Sequence, residues 1–296
     1  MTPTVKKTNS GEIKFKRGFR KRTKKEIIDI LKESLGKKHN NPKQNDELIR
    51  LVEIVPLVSN PLNDQDWLAQ YNEPGQTCFQ FLRHMPYEPK IEDRKKYIYY
   101  IQIGGFESTK LDFASLIEYS RCFFSSESIK LMPLKIELHK TNEKQNGETI
   151  KMNALYGDKV RRVTCRLNKK TKHLQLKAQS IFSLLKLIKP HDAHCLIGFS
   201  ETDLYVDDSD LFVAGLCDGS LRVGMFSCFR YNPTLSYSEE FWFKVQLKKK
   251  IQMDQGLLAT RSAKLLVHET CHLLGFEHCV YMDCCMNGKY ICIFMI

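Results

Sequence analysis

The sequence predicts an α/β fold shading into α+β: a mixed, mostly parallel sheet with helices packed on it. Three observations predict it. Apolar runs rich in β-branched and aromatic residues alternate with helical patterns over the first two thirds of the chain. Several strand-like runs then follow one another, and a long segment free of Gly and Pro comes near the end.

The elements are taken in chain order. Residues 1–25 are polar, basic and poor in aliphatics, the composition of a disordered segment. Glu26 to Leu35 predicts an amphipathic helix that stops near Gly36, and residues 37–47 a polar linker. Glu47 to Val58 is apolar enough to be ordered. Pro56, Pro61, Pro74, Pro86 and Pro89 then punctuate loops and short helices, with Trp67, Tyr71, Phe79 and Phe81 as core anchors. Tyr97–Ile103 reads as the first buried strand, closed by Gly104 and Gly105. Residues 111–124 predict a helix, Ile129–Leu138 a second strand, and 140–161 a polar inserted loop. Leu174–Leu176 predicts a short strand, and Ala178–Leu187 an amphipathic helix ending before Pro190. Cys195–Phe199 is a third strand, two more fall between 211 and 231, and Lys248–Lys250 sits in a loop before a helix over 257–274. The expected organisation is a basic arm (1–46), largely disordered with one short helix, a loop-rich extension (47–94) and a main domain (95–296).

The last helix carries the most specific pattern, His268-Glu269-Thr270-Cys271-His272-Leu273-Leu274-Gly275-Phe276-Glu277-His278-Cys279. On a helix, His268 and His272 are i and i+4, so both rings project from one face. Gly275 falls where the helix should stop, because glycine accepts the left-handed conformation that redirects the chain. Three residues later His278 can return as a third donor. Three imidazoles suit zinc, whose catalytic sites leave the fourth position to water. Glu269 adjoins the first ligand and suits a general base. A zinc site of this kind that is filled but catalytically idle is the alternative these residues leave open.

The motif continues through Cys279, four residues, Cys284, Cys285 and Met286. This cadence, HExxHxxGxxHC-x4-C-x-M, resembles the archaemetzincin family. The resemblance implies a metzincin-like fold with His268, His272 and His278 on a catalytic zinc, Glu269 as base and Met286 in a Met-turn beneath the metal. It also implies Cys279 and Cys284 as half of a second, four-thiolate zinc site. Independently, an unbranched thioether suits an irregular apolar floor under a metal. The stretch His194–Tyr205 is similar to the family's central strand and the acidic loop after it, and 211–231 to its paired strands; the whole likeness covers about 95–288. It implies that extended peptide pairs with an edge strand, that substrates are peptides or proteins, and that cleavage is aminopeptidase-like. The family's CxxC pair, about seventeen residues after the Met, is absent before Ile296, and neither Cys285 nor Cys292 has its spacing. The expectation is one catalytic zinc, an incomplete second site, and a C-terminal subdomain truncated after the Met-turn. Cys271, where the family usually has glycine, reads as buried filler.

Composition bounds the alternatives. A 296-residue chain with 42% hydrophobic residues is large enough for a substantial core. No apolar run reaches bilayer length and the N-terminus has no apolar h-region, so no membrane partner is expected and the location expected is cytoplasmic, nuclear or both. Eleven cysteines, six of them scattered, read as reduced core residues outside the crowd around the motif. Of the formal net charge of +12, residues 1–50 carry +9, densest at Lys14–Lys25. That run is either a solvated tail or a nuclear or nucleic-acid-contacting arm; no zinc-finger, RRM or KH pattern supports nucleic-acid binding elsewhere. The acidic group Glu201, Asp203, Asp207, Asp208 and Asp210 lacks EF-hand spacing and reads as a solvated loop. The function expected is a zinc metallopeptidase. Its rival is a zinc-stabilised interaction protein, weakly active or inactive and nuclear through its arm.

Overall fold

The structure, a computed structural model, describes residues 22–35, 42–60, 73–77, 97–124, 127–141, 149–168, 172–208, 212–237, 245–247 and 252–288, with Leu68, Gln80, Phe81 and Arg83. Most of the basic run Lys14–Lys25 lies outside these, as do Trp67, Tyr71, Phe79, Lys248–Lys250 and the tail from residue 289 with Cys292. The chain forms two compact units, Met1–Glu88 with Gly275–Ile296, and Pro89–Leu274.

In the first unit, helices α1 (Lys24–Leu35) and α2 (Pro42–Ile54) pack on one another. A capping box starts α1: the Thr23 N–H donates to Glu26 Oε2 at 2.8 Å, and the Glu26 N–H returns to Thr23 Oγ1 at 3.3 Å. Thr77 and Gln80 repeat the device at 2.8 and 3.2 Å. Val58, Leu68 and Val280 form a small core.

The second unit is built on a five-stranded sheet. Its strands are β1 (Tyr97–Gln102), β2 (Ile129–Leu131), β7 (Ala193–Ser200), β9 (Gly215–Asp218) and β10 (Val223–Ser227), in the order β2-β1-β7-β10-β9. All neighbours are parallel except β10 and β9, which matches the mostly parallel sheet expected. The central strands are buried on both faces, and for that reason they read as near-continuous apolar runs. Helix α3 (Phe113–Phe124) opens with Asp112 Oδ1 accepting from the Ala114 N–H at 3.0 Å.

The expected strand Ile129–Leu138 is two strands in different sheets: β2, and β3 (Glu137–Lys140). Pro133 interrupts it, having no N–H to offer a ladder. The inserted loop expected over 140–161 is instead largely a hairpin of β4 (Thr149–Tyr156) and β5 (Lys159–Leu167), joined through β6 (Leu174–Lys177) to β8 (Asp203–Tyr205) in a second sheet, β3-β4-β5-β6-β8. Met152, Ala154, Val163 and Cys165 point inward from the hairpin. They share a core with Leu184 and Leu185 of α4 (Phe182–Ile188) and with Ile101, Leu196, Val223 and Met225 of the first sheet. Strands β11 (Leu235–Tyr237) and β12 (Val245–Leu247) pair antiparallel, and helix α5 (Gln255–Leu273) follows. Among the described residues no helix is long and apolar enough to cross a membrane.

The acidic cluster is only partly the solvated loop expected. Asp207 and Asp208 are exposed, but Asp203 is wholly buried. Its Oδ1 accepts from Arg230 Nε at 2.8 Å, and its Oδ2 from Arg230 Nη2 at 2.5 Å and Gln175 Nε2 at 2.6 Å, with His173 Nε2 at 2.8 Å. Glu201 binds the Thr109 N–H and hydroxyl at 3.1 and 2.8 Å. These carboxylates hold the fold together. Replacing Arg230 by Met leaves a buried carboxylate without its main counter-charge, and we expect the unfolding free energy in urea to fall by about 3–5 kcal/mol.

Candidate metal centre

Helix α5 is fixed before it carries any chemistry. Asp254 caps its start, Oδ1 accepting from the Leu257 N–H at 2.9 Å. Leu258, Ala263, Leu265, Leu266 and Val267 are buried, and the helix packs on α3, β9 and β10. Near its C-terminal end the Tyr100 hydroxyl, reaching out from β1, lies 2.8 Å from both Thr270 Oγ1 and Ser120 Oγ of α3. Burial raises the Tyr100 phenol well above its usual range, so it stays protonated and hydrogen-bonded.

That anchoring turns the face bearing His268 and His272 to one side. Their Nε2 atoms are 3.1 Å apart, with ring planes at 87°. Both rings, and Glu269 between them in sequence, are half-buried. Glu269 lies within electrostatic reach of Cys217 on β9: burial first, and the Glu269 carboxylate second, push the Cys217 thiol above its usual range. Helix α5, which carries the base candidate, packs on β9, an edge strand of the sheet among the described residues. Gly275 has the positive φ expected of it, 93°, and ends the helix by the left-handed conformation. After that turn comes His278. His278 stands three residues beyond Gly275 along the chain.

The donor set fits zinc. Three nitrogens around a tetrahedral zinc stand about 3.3 Å apart, close to the spacing the His268–His272 pair already has. Neutral imidazole is a ligand zinc takes readily, and three protein donors leave a fourth position for water.

Beyond His278, the segment 279–287 is a tight turn knitted by a buried Asn287. Its Nδ2 donates to the carbonyls of Cys279 and Met282, both at 2.8 Å, and its Oδ1 accepts from the Cys284 N–H at 2.9 Å. The Cys279 N–H donates to the Met286 carbonyl at 2.7 Å. Met286 is buried. The Cys279 and Cys284 thiols are brought together: a hydrogen bond from Cys284 holds the Cys279 thiol below its usual range. Cys271 is buried.

Two residues around the motif escaped the sequence reading. Glu73 Oε1 is 2.9 Å from His278 Nδ1, and Asn287 organises the turn. The sequence signal for Glu73 is faint: an acidic residue before Pro74-Gly75, about two hundred positions from its partner. Asn287-Gly288, a turn dipeptide directly after the motif's Met, was the better clue.

No protein-family model matches the chain. Among curated proteins it is similar to Archaemetzincin-2 of Homo sapiens, 30% identical over 242 residues, covering 76% of this chain and 61% of that protein. The likeness to Archaemetzincin-2 of Mus musculus is 30% over 245 residues, 77% of this chain and 62% of that one. Archaemetzincin-1 of Homo sapiens is 29% identical over 141 residues, 43% of this chain and 28% of that one. The chain thus spans about three fifths of the length of the first of these relatives. Among solved structures, a zinc-dependent peptidase from Methanocorpusculum labreanum aligns with a TM-score of 0.38 and 19% identity, over 64% of this chain and 87% of that one. An archaemetzincin from Methanopyrus kandleri aligns with a TM-score of 0.40 and 18% identity, over 66% and 82%.

The anchoring of α5 predicts a measurable cost. Tyr100→Phe strips a shared partner from the buried hydroxyls of Ser120 and Thr270, and we expect a loss of about 1–3 kcal/mol in chemical unfolding.

Proposed function

We propose that the chain is a zinc-dependent metallopeptidase of archaemetzincin type, with His268, His272 and His278 as ligands and Glu269 as general base; its 30% identity to Archaemetzincin-2 over 242 residues supports this reading. The observation that carries the reading is the pair His268 and His272, with Nε2 atoms 3.1 Å apart on one helix face, in a motif that sets a carboxylate next to the first and a third histidine after the Gly275 turn.

When bound, the zinc supplies Lewis acidity at the scissile carbonyl and lowers the pKa of the attacking water. The protein's own groups do the rest. The helical pair His268 and His272 and the post-turn His278 would hold the ion. A Glu269 carboxylate oxygen takes the proton of the attacking water and later delivers it to the leaving amine nitrogen. Among the described residues β9 is an edge strand, so its outer side offers backbone groups to an extended peptide, on the strand against which the Glu269 helix packs. Met286 belongs, on this reading, to the turn under the ion. Cys279 and Cys284 offer two thiols, half of the four donors that a closed structural zinc site takes.

The test is a fluorogenic peptide library assayed with chelator and with zinc restored. Hydrolysis that chelator abolishes and zinc returns is the expected result; silence from folded, zinc-loaded protein would favour the interaction protein instead. Comparing free with N-acetylated peptides reads out aminopeptidase-like cleavage, which requires the free amine. Glu269→Gln should keep the zinc and lower kcat by about 10²–10⁴-fold; undiminished turnover would remove Glu269 from its role.

A further inference from the structure

Two of the three histidines ride on a packed helix. The third does not: His278 follows a glycine turn, where no helical hydrogen bonds set its direction. Residues 73–77, Glu-Pro-Gly-Gln-Thr, support it through hydrogen bonds to His278 and to the turn before it.

Three contacts make that segment a clamp. The Gln76 amide grips the turn at both ends, Nε2 donating to the Gly275 carbonyl at 2.9 Å and Oε1 accepting from the Glu277 N–H at 3.2 Å. Gly75, at φ +79°, lets the chain pass under the segment; a Cβ there would come within 2.6 Å of Tyr281 Oη and Val280 Cγ2. Phe81 stacks on Phe276 with ring centroids 4.6 Å apart. Further along, Val58 N–H donates to the Tyr281 carbonyl at 3.2 Å and Asp283 N–H to the Pro56 carbonyl at 2.8 Å. Within this clamp Glu73 Oε1 meets His278 Nδ1 at 2.9 Å, with side chains only 24% and 17% exposed.

We propose that Glu73 is a positioning residue for His278, an outer carboxylate that fixes the ring's tautomer and direction so that Nε2 is the atom presented to the ion. The inference rests on the assignment of His278 as a ligand. A carboxylate accepts and does not donate, so the 2.9 Å contact selects the ring with its proton on Nδ1, which puts the lone pair on Nε2. Carboxylate partners of this kind orient ligating histidines and raise their basicity, and removing them typically costs about 10–100-fold in metal affinity. Residues 73–77 then have a function: they support the third histidine from outside the motif.

The experiment measures zinc dissociation constants by competition with a chromophoric chelator. It compares the full chain with Glu73→Ala, Glu73→Gln and His268→Ala, alongside the ring ¹⁵N spectrum of His278 in zinc-free protein. We expect Glu73→Ala to weaken zinc about 10–100-fold. Glu73→Gln keeps an acceptor oxygen and should fall in between. The wild-type His278 ring should show its proton on Nδ1, a preference lost in Glu73→Ala. If Glu73→Ala fails to fold, Glu73→Gln and the wild-type spectrum still decide. Zinc affinity unchanged in Glu73→Ala and Glu73→Gln but abolished in His268→Ala overturns the role of Glu73 and leaves the zinc assignment standing. A wild-type His278 proton on Nε2 does the same. Affinity unchanged in His268→Ala overturns the zinc assignment, and this inference with it.

Discussion

The packing of α5 against the first sheet governs what the rest of the chain can do. A helix offers two histidines to one ion only if its rotation about its own axis is fixed, since a turn of a few tens of degrees would carry both rings away. The buried side Leu258, Leu265, Leu266 and Val267 sets that rotation by apolar contact, and the Tyr100 hydroxyl pins it with a hydrogen bond to Thr270, next to Glu269 in sequence. The strength of this arrangement is that its polar contact is buried, where slipping out of register would strand the Tyr100, Ser120 and Thr270 hydroxyls.

The sequence reveals the parts of the fold that are buried on both faces or bound to a rigid pattern. Strands β1 and β7 are continuous apolar runs, α5 is long and free of Gly and Pro, and Gly275 ends it with the positive φ its position demands. The hairpin β4–β5 is harder to read. Its inward residues Met152, Ala154, Val163 and Cys165 alternate with Lys151, Asn153, Arg162 and Thr164, so a period of two is present but submerged in polarity. Asp203 is hidden for a related reason. Composition places it among solvated acids, and only the fold supplies Arg230, twenty-seven residues later, as its partner.

The candidate site divides in the same way. Its helical histidines, glycine and glutamate have spacings that carry their geometry with them. The contacts that support them are long-range: Tyr100 to Thr270 spans 170 positions and Glu73 to His278 spans 205. No local pattern encodes such pairs. The turn of Cys279–Asn287 lies between these cases, with a recognisable Cys and Met cadence whose order depends on a single buried amide side chain.

The account stands on three nitrogen donors sharing one ion. X-ray absorption at the zinc edge, on protein loaded with a single equivalent, tests this most directly. The account predicts a first shell of three nitrogens at about 2.0–2.1 Å with one oxygen at similar distance, and outer-shell scattering from imidazole rings. A shell dominated by sulfur at about 2.3 Å would put the ion on Cys279 and Cys284 and contradict it.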